Sequence, residues 1–188
     1  MIILLNGPPN AGKDTAAKII GQKLPNCRDY KISKPIKDSV AGLLGIDTQI
    51  RKDAEENADE VGRIVPDYTY RELQIGMYED FVLKYFDKDF LGIVAVRKLR
   101  NIVAKHITVS DAGLTVEVKA ILQGFTKAGV CLLEIDRPGK TFKGDIRQWI
   151  DSDLEFIHRD TINNEHDLEL FELQIERVLR KWKLLKDG

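Results

Sequence analysis

The sequence predicts an α/β fold in which a parallel β-sheet is flanked by helices. Two observations predict it. Short apolar runs typical of buried strands alternate along the chain with longer segments whose apolar residues recur at helical spacing. A glycine-containing loop, GPPNAGKDT, lies directly between the first such strand and the first such helix. With 188 residues, 43% of them hydrophobic, the chain can bury the core of one domain of this class.

The individual elements follow from apolar periodicity and from the residues that end each segment. Strands are predicted at residues 2–5, 30–33, 106–110, 130–135 and 155–162. Helices are predicted at about residues 13–24, 35–44, 68–86, 90–104, 114–127 and 165–185. Residues 45–66 are rich in acidic side chains and poor in core residues, so we expect a solvated excursion there.

Composition narrows the class of partner. The 29 basic and 30 acidic residues nearly cancel, which argues against a general nucleic-acid or membrane-surface binder. The two cysteines, Cys27 and Cys131, form no CxxC pair, and no apolar run approaches the roughly 20 residues that span a bilayer. We therefore expect a cytoplasmic protein that binds small molecules. The oligomeric state stays open, and a homodimer is one alternative.

The loop after the first strand has the spacing of a phosphate-binding loop: Gly7, four residues, then Gly12 and Lys13. Glycines let such a loop curl so that backbone N–H groups point at phosphate oxygens, and the helix that follows adds its positive end. Lys13 would reach the outer phosphates. A glycine-containing turn with a surface lysine is the alternative. The predicted nucleotide-binding residues are Gly7, Asn10, Ala11, Gly12, Lys13, Asp14 and Thr15.

Asp14 stands where these loops usually carry serine or threonine, and the hydroxyl comes one position later, at Thr15. We expect Thr15 to contact nucleotide phosphate. Asp14 has two interpretations: it holds a water of a bound magnesium ion, or it caps the start of the helix. A carboxylate close to phosphates would repel them, so Asp14 should act through the metal or point away.

The loop resembles those of adenylate-kinase-like proteins, which have a proline third, a non-hydroxyl residue after the lysine, and then threonine. GKDT resembles animal-type phosphomevalonate kinases and phage-type deoxynucleoside monophosphate kinases more closely still. Further segments resemble the phage-type family in the same order along the chain: YKISKPIK, YRELQIG, VSDAGLTVE, RPGKTFKGDIR and DTINN. Two departures are Gly113, where that family often has arginine, and Ile32-Ser33, near where it commonly has an aromatic residue or alanine.

This resemblance to the P-loop nucleoside monophosphate kinase superfamily implies an adenylate-kinase-like P-loop NTPase three-layer fold, as one domain over residues 1–188. Residues 34–105 would form a helical acceptor-binding region, and residues 136–150 a short lid. It also implies a phosphotransferase that uses ATP and Mg²⁺ and moves the γ-phosphoryl group to a nucleoside or deoxynucleoside monophosphate.

The resemblance assigns acceptor binding to Ser33, Lys37, Arg71 and Gln74. Arg71 would bind the acceptor's monophosphate through its guanidinium fork, and Gln74, three residues later on the same helix face, would read the base. An exposed helical pair is the alternative interpretation of Arg71 and Gln74, and an ordinary surface lysine is that of Lys37.

The predicted catalytic residues are Lys13, Asp111, Arg137 and Arg147. The two arginines flank a polar, glycine-bearing loop and would stabilise the charge of the transferred group when that loop closes. The alternative is an ordinary solvated loop. Asp111 ends a strand and would orient Mg²⁺ through water, or else cap the helix after Gly113. The predicted metal-binding residues are thus Asp14, Thr15 and Asp111.

Three other functions remain open at this point. The first is a kinase with the same chemistry whose acceptor is another small phosphorylated metabolite or dephospho-coenzyme A. The chain can also be a P-loop ATPase or GTPase, although it has no Asn-Lys-x-Asp signature and Ala112, not an acid, follows Asp111. Finally, it can bind nucleotides without turnover, which the complete loop and the arginine-bearing lid argue against.

Overall fold

The computed structural model of the chain describes residues 1–46, 68–125, 129–165 and 167–185. Apart from its first two residues, the predicted acidic excursion at 45–66 lies outside these ranges. The chain divides into two compact units: Met1–Ile32 together with Gly92–Gly188, and Ser33–Leu91. The predicted acceptor-binding region, 34–105, thus covers most of the second unit and the first residues after it.

The first unit contains a five-stranded parallel sheet with the order β2-β3-β1-β4-β5. Its strands are β1 (Ile2–Asn6), β2 (Cys27–Tyr30), β3 (His106–Val109), β4 (Val130–Asp136) and β5 (His158–Asn163). In the centre, Ile2 of β1 pairs with Ile107 of β3 on one side and with Val130 of β4 on the other. Strands buried on both faces are mostly apolar, and only Asn6 in β1 and Glu134 and Asp136 in β4 are polar, so both strands could be predicted closely.

The described helices are divided between the two units. In chain order they are α1 (Lys13–Lys23), α2 (Lys34–Leu44), α3 (Tyr70–Gly76), α4 (Leu83–Tyr85), α5 (Phe90–Arg100), α6 (Thr115–Gly124) and α7 (Leu168–Lys181). α1 and α7 cover one face, where Ile20 and Phe171 share a core with Ile3 and Leu5. α5 approaches α6 closely, since a Cβ at Gly92 would lie 2.7 Å from the backbone oxygen of Glu117. The predicted fold class, a parallel sheet flanked by helices, is confirmed.

The second unit is helical in its described part. α2 has proline in its first turn, which suits the fixed φ of that residue, and ends at Gly45 in the left-handed conformation. α3 begins with a capping box, in which Thr69 and Glu72 satisfy each other's backbone N–H groups. The Tyr70 hydroxyl donates a 2.8 Å hydrogen bond to the Lys37 carbonyl and so joins α3 to α2. A π-helical segment, Met77–Val82, leads from α3 into α4.

Several predicted boundaries were wrong. The second strand is Cys27–Tyr30 and not 30–33, because this edge strand exposes Arg28 and Asp29 and therefore has no apolar run. The helix predicted at 68–86 is interrupted by the π-helical segment, a change of hydrogen bonding that apolar spacing does not signal. None of the helices in the described ranges is both long enough and apolar enough to cross a bilayer.

Candidate functional site

The connections between strands diverge at the centre of the sheet. The chain leaves β1 for β2 on one side, whereas the chain that leaves β3 crosses to β4 on the other side. In open parallel sheets, ligands bind outside the carboxyl ends of the strands at such a switch point. The two predicted features that follow β1 and β3, the glycine-containing loop and Asp111, both lie there.

The loop between β1 and α1 is curled by residues with positive φ. The values are +155° at Gly7, +59° at Asn10 and +106° at Gly12. Glycine enters this region without a steric penalty, and asparagine is among the few other residues that tolerate it. A 3.2 Å hydrogen bond from the Ala11 N–H to the Pro8 carbonyl closes the turn. Such turns at a helix start form the concave backbone surfaces that bind anions.

Neighbouring strands hold the loop in place. A Cβ at Gly7 would lie 2.3 Å from the Ile135 backbone oxygen in β4, so a larger residue would push the loop off the sheet. A Cβ at Gly12 would lie 2.5 Å from the Nδ2 of Asn164, which directly follows β5 and donates that amide to the Ala11 carbonyl at 2.9 Å. Asn164 belongs to the DTINN segment, but no feature of the sequence indicated this contact.

Lys13 folds back over the loop. Its Nζ donates hydrogen bonds of 2.7 Å to the carbonyls of Gly7 and Pro8. Burial, together with the positive charge of Arg147, lowers the pKa of Lys13 to about 8, and nearby carboxylates oppose this shift only in part. An anion bound in the loop would relieve this unfavourable environment, because it would place negative charge beside the ammonium group.

Asp14 does not cap the helix. The N-cap of α1 is Gly12, which offers no side-chain cap, and Asp14 instead forms a 2.9 Å ion pair with Lys31. Partial desolvation would raise the pKa of the mostly exposed Asp14 carboxylate, but its hydrogen bonds with Lys31 and Ser110 hold the pKa below its usual value. Lys31 is a site residue that sequence reasoning missed, because a half-buried lysine in a short polar segment looks like a surface residue.

Asp111 also has a different partner from the predicted cap. Its Oδ1 accepts a 2.7 Å hydrogen bond from the Ile32 backbone N–H, whereas the N-cap of α6 is Leu114, without a side-chain cap. The helix-cap alternative for Asp111 was therefore wrong. Its carboxylate joins the end of β3 to the turn after β2.

The predicted metal-binding residues carry the hard oxygen donors that Mg²⁺ prefers: the Thr15 hydroxyl and the carboxylates of Asp14 and Asp111. Thr15 and Asp14 lie in the first turn of α1, where Thr15 is exposed and the Asp14 side chain is 74% exposed. Within the described part of the chain, no three histidine, cysteine, aspartate or glutamate side chains are grouped closely enough to hold a metal by themselves. The donor set therefore fits a metal that is held mainly by phosphate oxygens and water.

Asp145 fixes the Arg147 side chain. The Arg147 guanidinium donates two hydrogen bonds to the Asp145 carboxylate, of 2.8 and 2.5 Å, and the Arg147 backbone N–H donates a third, of 2.9 Å, to the same carboxylate. A Cβ at Gly113 would lie 2.5 Å from both Cγ and Cδ of Arg147. The aliphatic stem of Arg147 therefore crosses Gly113, which explains why no larger residue fits at this position.

Arg137 lies at the other end of the predicted lid, directly after β4. Its side chain is exposed, and its Nη1 donates a 3.3 Å hydrogen bond to the Asn10 carbonyl of the loop. All four predicted catalytic residues thus belong to segments at the carboxyl edge of the sheet. Arg137 contacts the loop directly, and the charge of Arg147 acts on Lys13.

Glu117 is a second site residue that sequence reasoning missed as an individual group. It lies in the first turn of α6 and is only 4% exposed. Burial, and then the charge of Asp111, raise the pKa of Glu117 to about 8, with Arg147 opposing. The sequence did contain a signal: Glu117 lies three residues after Leu114 and four before Ile121, and thus on the apolar face of its helix.

The four predicted acceptor-binding residues all belong to the second unit. Ser33 is the N-cap of α2 and Lys37 lies one turn later, whereas Arg71 and Gln74 lie in α3. The Tyr70 hydroxyl bond to the Lys37 carbonyl brings the first turns of these two helices together. Arg71 is exposed and Gln74 is half-buried. Their roles in acceptor binding remain predictions.

Comparisons with known proteins extend this description only as far as the fold. No protein-family model matches the chain, and no curated protein matches it. Among solved structures, the chain is similar to an unliganded sugar kinase from a Janibacter species, with a TM-score of 0.50 and 14% sequence identity. The similarity covers 97% of this chain and 94% of that one. At this level of identity it shows a shared fold and not a shared activity.

Proposed function

We propose that the chain is an ATP-dependent kinase whose acceptor is a nucleoside or deoxynucleoside monophosphate. The observation that carries this proposal is the loop at the switch point of the sheet, curled by three positive-φ residues and crossed by the Lys13 ammonium group. The fold shared with a sugar kinase is compatible with it. The nucleotide acceptor rests on the resemblance of the sequence segments.

The donor triphosphate would bind in the curled loop. Backbone N–H groups of the loop and the N-terminus of α1 would face its phosphate oxygens. Lys13 would exchange its two neutral carbonyl partners for charged phosphate oxygens, which make stronger hydrogen bonds with an ammonium group. Thr15, Asp14 and Asp111 would hold Mg²⁺, in part through water, and the ion would neutralise phosphate charge.

Phosphoryl transfer would then depend on position and charge. The transition state spreads negative charge over the equatorial oxygens of the moving group, and no covalent enzyme intermediate is needed. Arg137 and Arg147 are the cations at the two ends of the lid. Because the Asp145 carboxylate holds the Arg147 guanidinium, this group is already ordered before the substrate arrives, which lowers the entropic cost of using it.

The acceptor would bind through the second unit. Arg71 is exposed, so its guanidinium is accessible to a monophosphate, and Gln74, one helical turn away, would contact the base. Ser33 and Lys37 would contact the same acceptor. The preference for deoxynucleotides rests on the resemblance alone.

One assay tests the proposal: ADP release from Mg·ATP, measured with a panel of nucleoside and deoxynucleoside monophosphates. Because a similar structure is that of a sugar kinase, the panel also contains free sugars and a non-nucleotide phosphorylated metabolite. We expect release that depends on a nucleoside monophosphate. Release that needs no acceptor would indicate an ATPase, release only with a sugar or another metabolite would reassign the acceptor, and binding without release would indicate a nucleotide-binding protein.

A further inference from the structure

Asn6 joins three segments of the candidate site. It is the last residue of β1, it directly precedes the phosphate loop, and it is fully buried. Its Nδ2 donates one hydrogen bond of 2.8 Å to the Ala112 carbonyl and a second of 3.0 Å to the Gln148 carbonyl. The first carbonyl belongs to the segment after β3, and the second to the end of the predicted lid. A single amide therefore ties the lid, the Asp111 segment and the phosphate loop together.

The end of the lid has a second anchor on the same sheet. Arg159 of β5 donates hydrogen bonds to the carbonyls of Asp151, at 2.9 Å, and Ile150, at 2.7 Å. Arg159 is held in turn by Glu134 of β4, the strand partner of Asn6. Side chains of the sheet thus bind the backbone just after Arg147 at three carbonyls. Arg159 fixes the outer part of this segment, and Asn6 fixes the part next to Arg147.

The position of Arg147 depends on these contacts. Gln148, whose carbonyl Asn6 binds, also donates its own N–H to the Gly113 carbonyl at 3.0 Å. Arg147 is the adjacent residue, and its stem crosses Gly113. Asn6 also binds the carbonyl of Ala112, the residue before Gly113. It therefore holds both the backbone on which the Arg147 stem lies and the backbone that directly follows Arg147.

The other half of the Asn6 amide is unsatisfied. Its Oδ1 is buried and has no hydrogen-bond partner among the described residues. A buried oxygen without a partner destabilises a fold, and an apolar residue would avoid this cost in a strand whose other residues are all apolar. The two donated hydrogen bonds offset this cost, and they are the contacts through which the amide acts on the site.

We propose that Asn6 is a positioning residue for phosphoryl transfer, which holds the lid end and the segment after β3 so that the Arg147 guanidinium meets the transferred group. This inference rests on the proposed function. Asn6 itself would not contact the reacting atoms. It would act through Arg147, so its removal should lower kcat and leave donor binding nearly unchanged.

A double-mutant cycle tests the inference. Asn6→Ala removes both donors without adding charge, and we expect kcat to fall about 100-fold, as for a reacting group displaced by about 1 Å. The dissociation constant of a non-hydrolysable ATP analogue should change less than about threefold. Arg147→Ala should lower kcat further. If Asn6 acts through Arg147, the double variant should be no slower than Arg147→Ala alone.

Controls separate this result from a loss of structure. Asn101→Ala is the matched control, because the Asn101 amide also donates to a backbone carbonyl, that of Arg97 at 2.9 Å, but is not bonded to the lid; it should leave kcat unchanged. Should Asn6→Ala fail to fold, Asn6→Leu takes its place in the cycle, because leucine has the same number of side-chain heavy atoms with the same branching, is apolar and has no donors. Losses that multiply in the double variant, or an Asn6 variant with wild-type kcat, would overturn the inference alone. A wild-type chain that transfers phosphate to no acceptor would overturn the proposed function, and this inference with it.

Discussion

Replacing Gly113 with alanine should remove most phosphoryl transfer and spare nucleotide binding. The added Cβ would lie 2.5 Å from Cγ and Cδ of Arg147 and 2.8 Å from its Cβ, whereas ordinary contact begins at 3.4 Å. The stem must therefore retreat by about 1 Å, a displacement that can cost about 100-fold in rate at a catalytic group. Rotation of the far end of the arginine cannot relieve the contact, because its Cβ is among the crowded atoms.

The assay compares two rates and two affinities. We expect kcat with saturating acceptor to fall about 100-fold in Gly113→Ala. The affinity for a non-hydrolysable ATP analogue, measured by calorimetry, should stay within about threefold, because the atoms nearest to the added Cβ belong to Arg147. Gly21→Ala is the matched control: a Cβ added at Gly21 in α1 would meet no atom within 4 Å. It should leave kcat unchanged and stabilise the fold by up to about 1 kcal/mol. A Gly113→Ala variant with kcat within threefold of wild type would refute the role given to Arg147.

Three further predictions concern other groups. Lys13→Ala should lower kcat by about 10²–10³-fold with an unchanged circular dichroism spectrum, because a charged donor to the transferred group is lost; wild-type transfer in this variant would contradict the whole assignment. Arg71→Ala should raise the KM of the monophosphate about tenfold or more, as expected for one charged hydrogen bond, with the KM of ATP unchanged; equal losses for both substrates would remove its role in acceptor binding. Glu117→Gln should flatten the pH dependence of stability. The pKa of Glu117 is raised from 4.5 to about 8, so between these pH values the folded chain keeps a proton that the unfolded chain releases. The contribution of Glu117 to stability is therefore complete below pH 4.5 and is lost as the pH rises to about 8. Thermal melts at several pH values should show this decline in the wild type and less of it in the variant; equal slopes would argue against the shift.

The parts of the fold that the sequence predicted well are those with a local signal. β1 and β4 are mostly apolar because both of their faces are buried, and α7 carries apolar residues at helical spacing. β2 was misplaced because it is a short edge strand with polar residues on its exposed side. The strand and helix ends that were predicted wrongly are those that depend on contacts between segments distant in the sequence.

The same division applies to the site. The curled conformation of the loop after β1 could be predicted because the positions of its glycines reflect local backbone geometry. Asn6 and Asn164 could not, because their amides bind carbonyls that are 106, 142 and 153 residues away along the chain. Gly113 looked like a departure from a family pattern, and only the path of the Arg147 stem across it gives the physical reason.

The most direct measurement follows the backbone amides of a ¹⁵N-labelled chain by nuclear magnetic resonance during titration with Mg²⁺ and a non-hydrolysable ATP analogue. We expect saturable shifts that are largest for the amides of Gly7 and residues 10–15, since Pro8 and Pro9 have no N–H, and the loss of these shifts in Lys13→Ala. If the analogue binds while these amides stay unmoved, or if it does not bind at all, the polyphosphate site after β1 is contradicted.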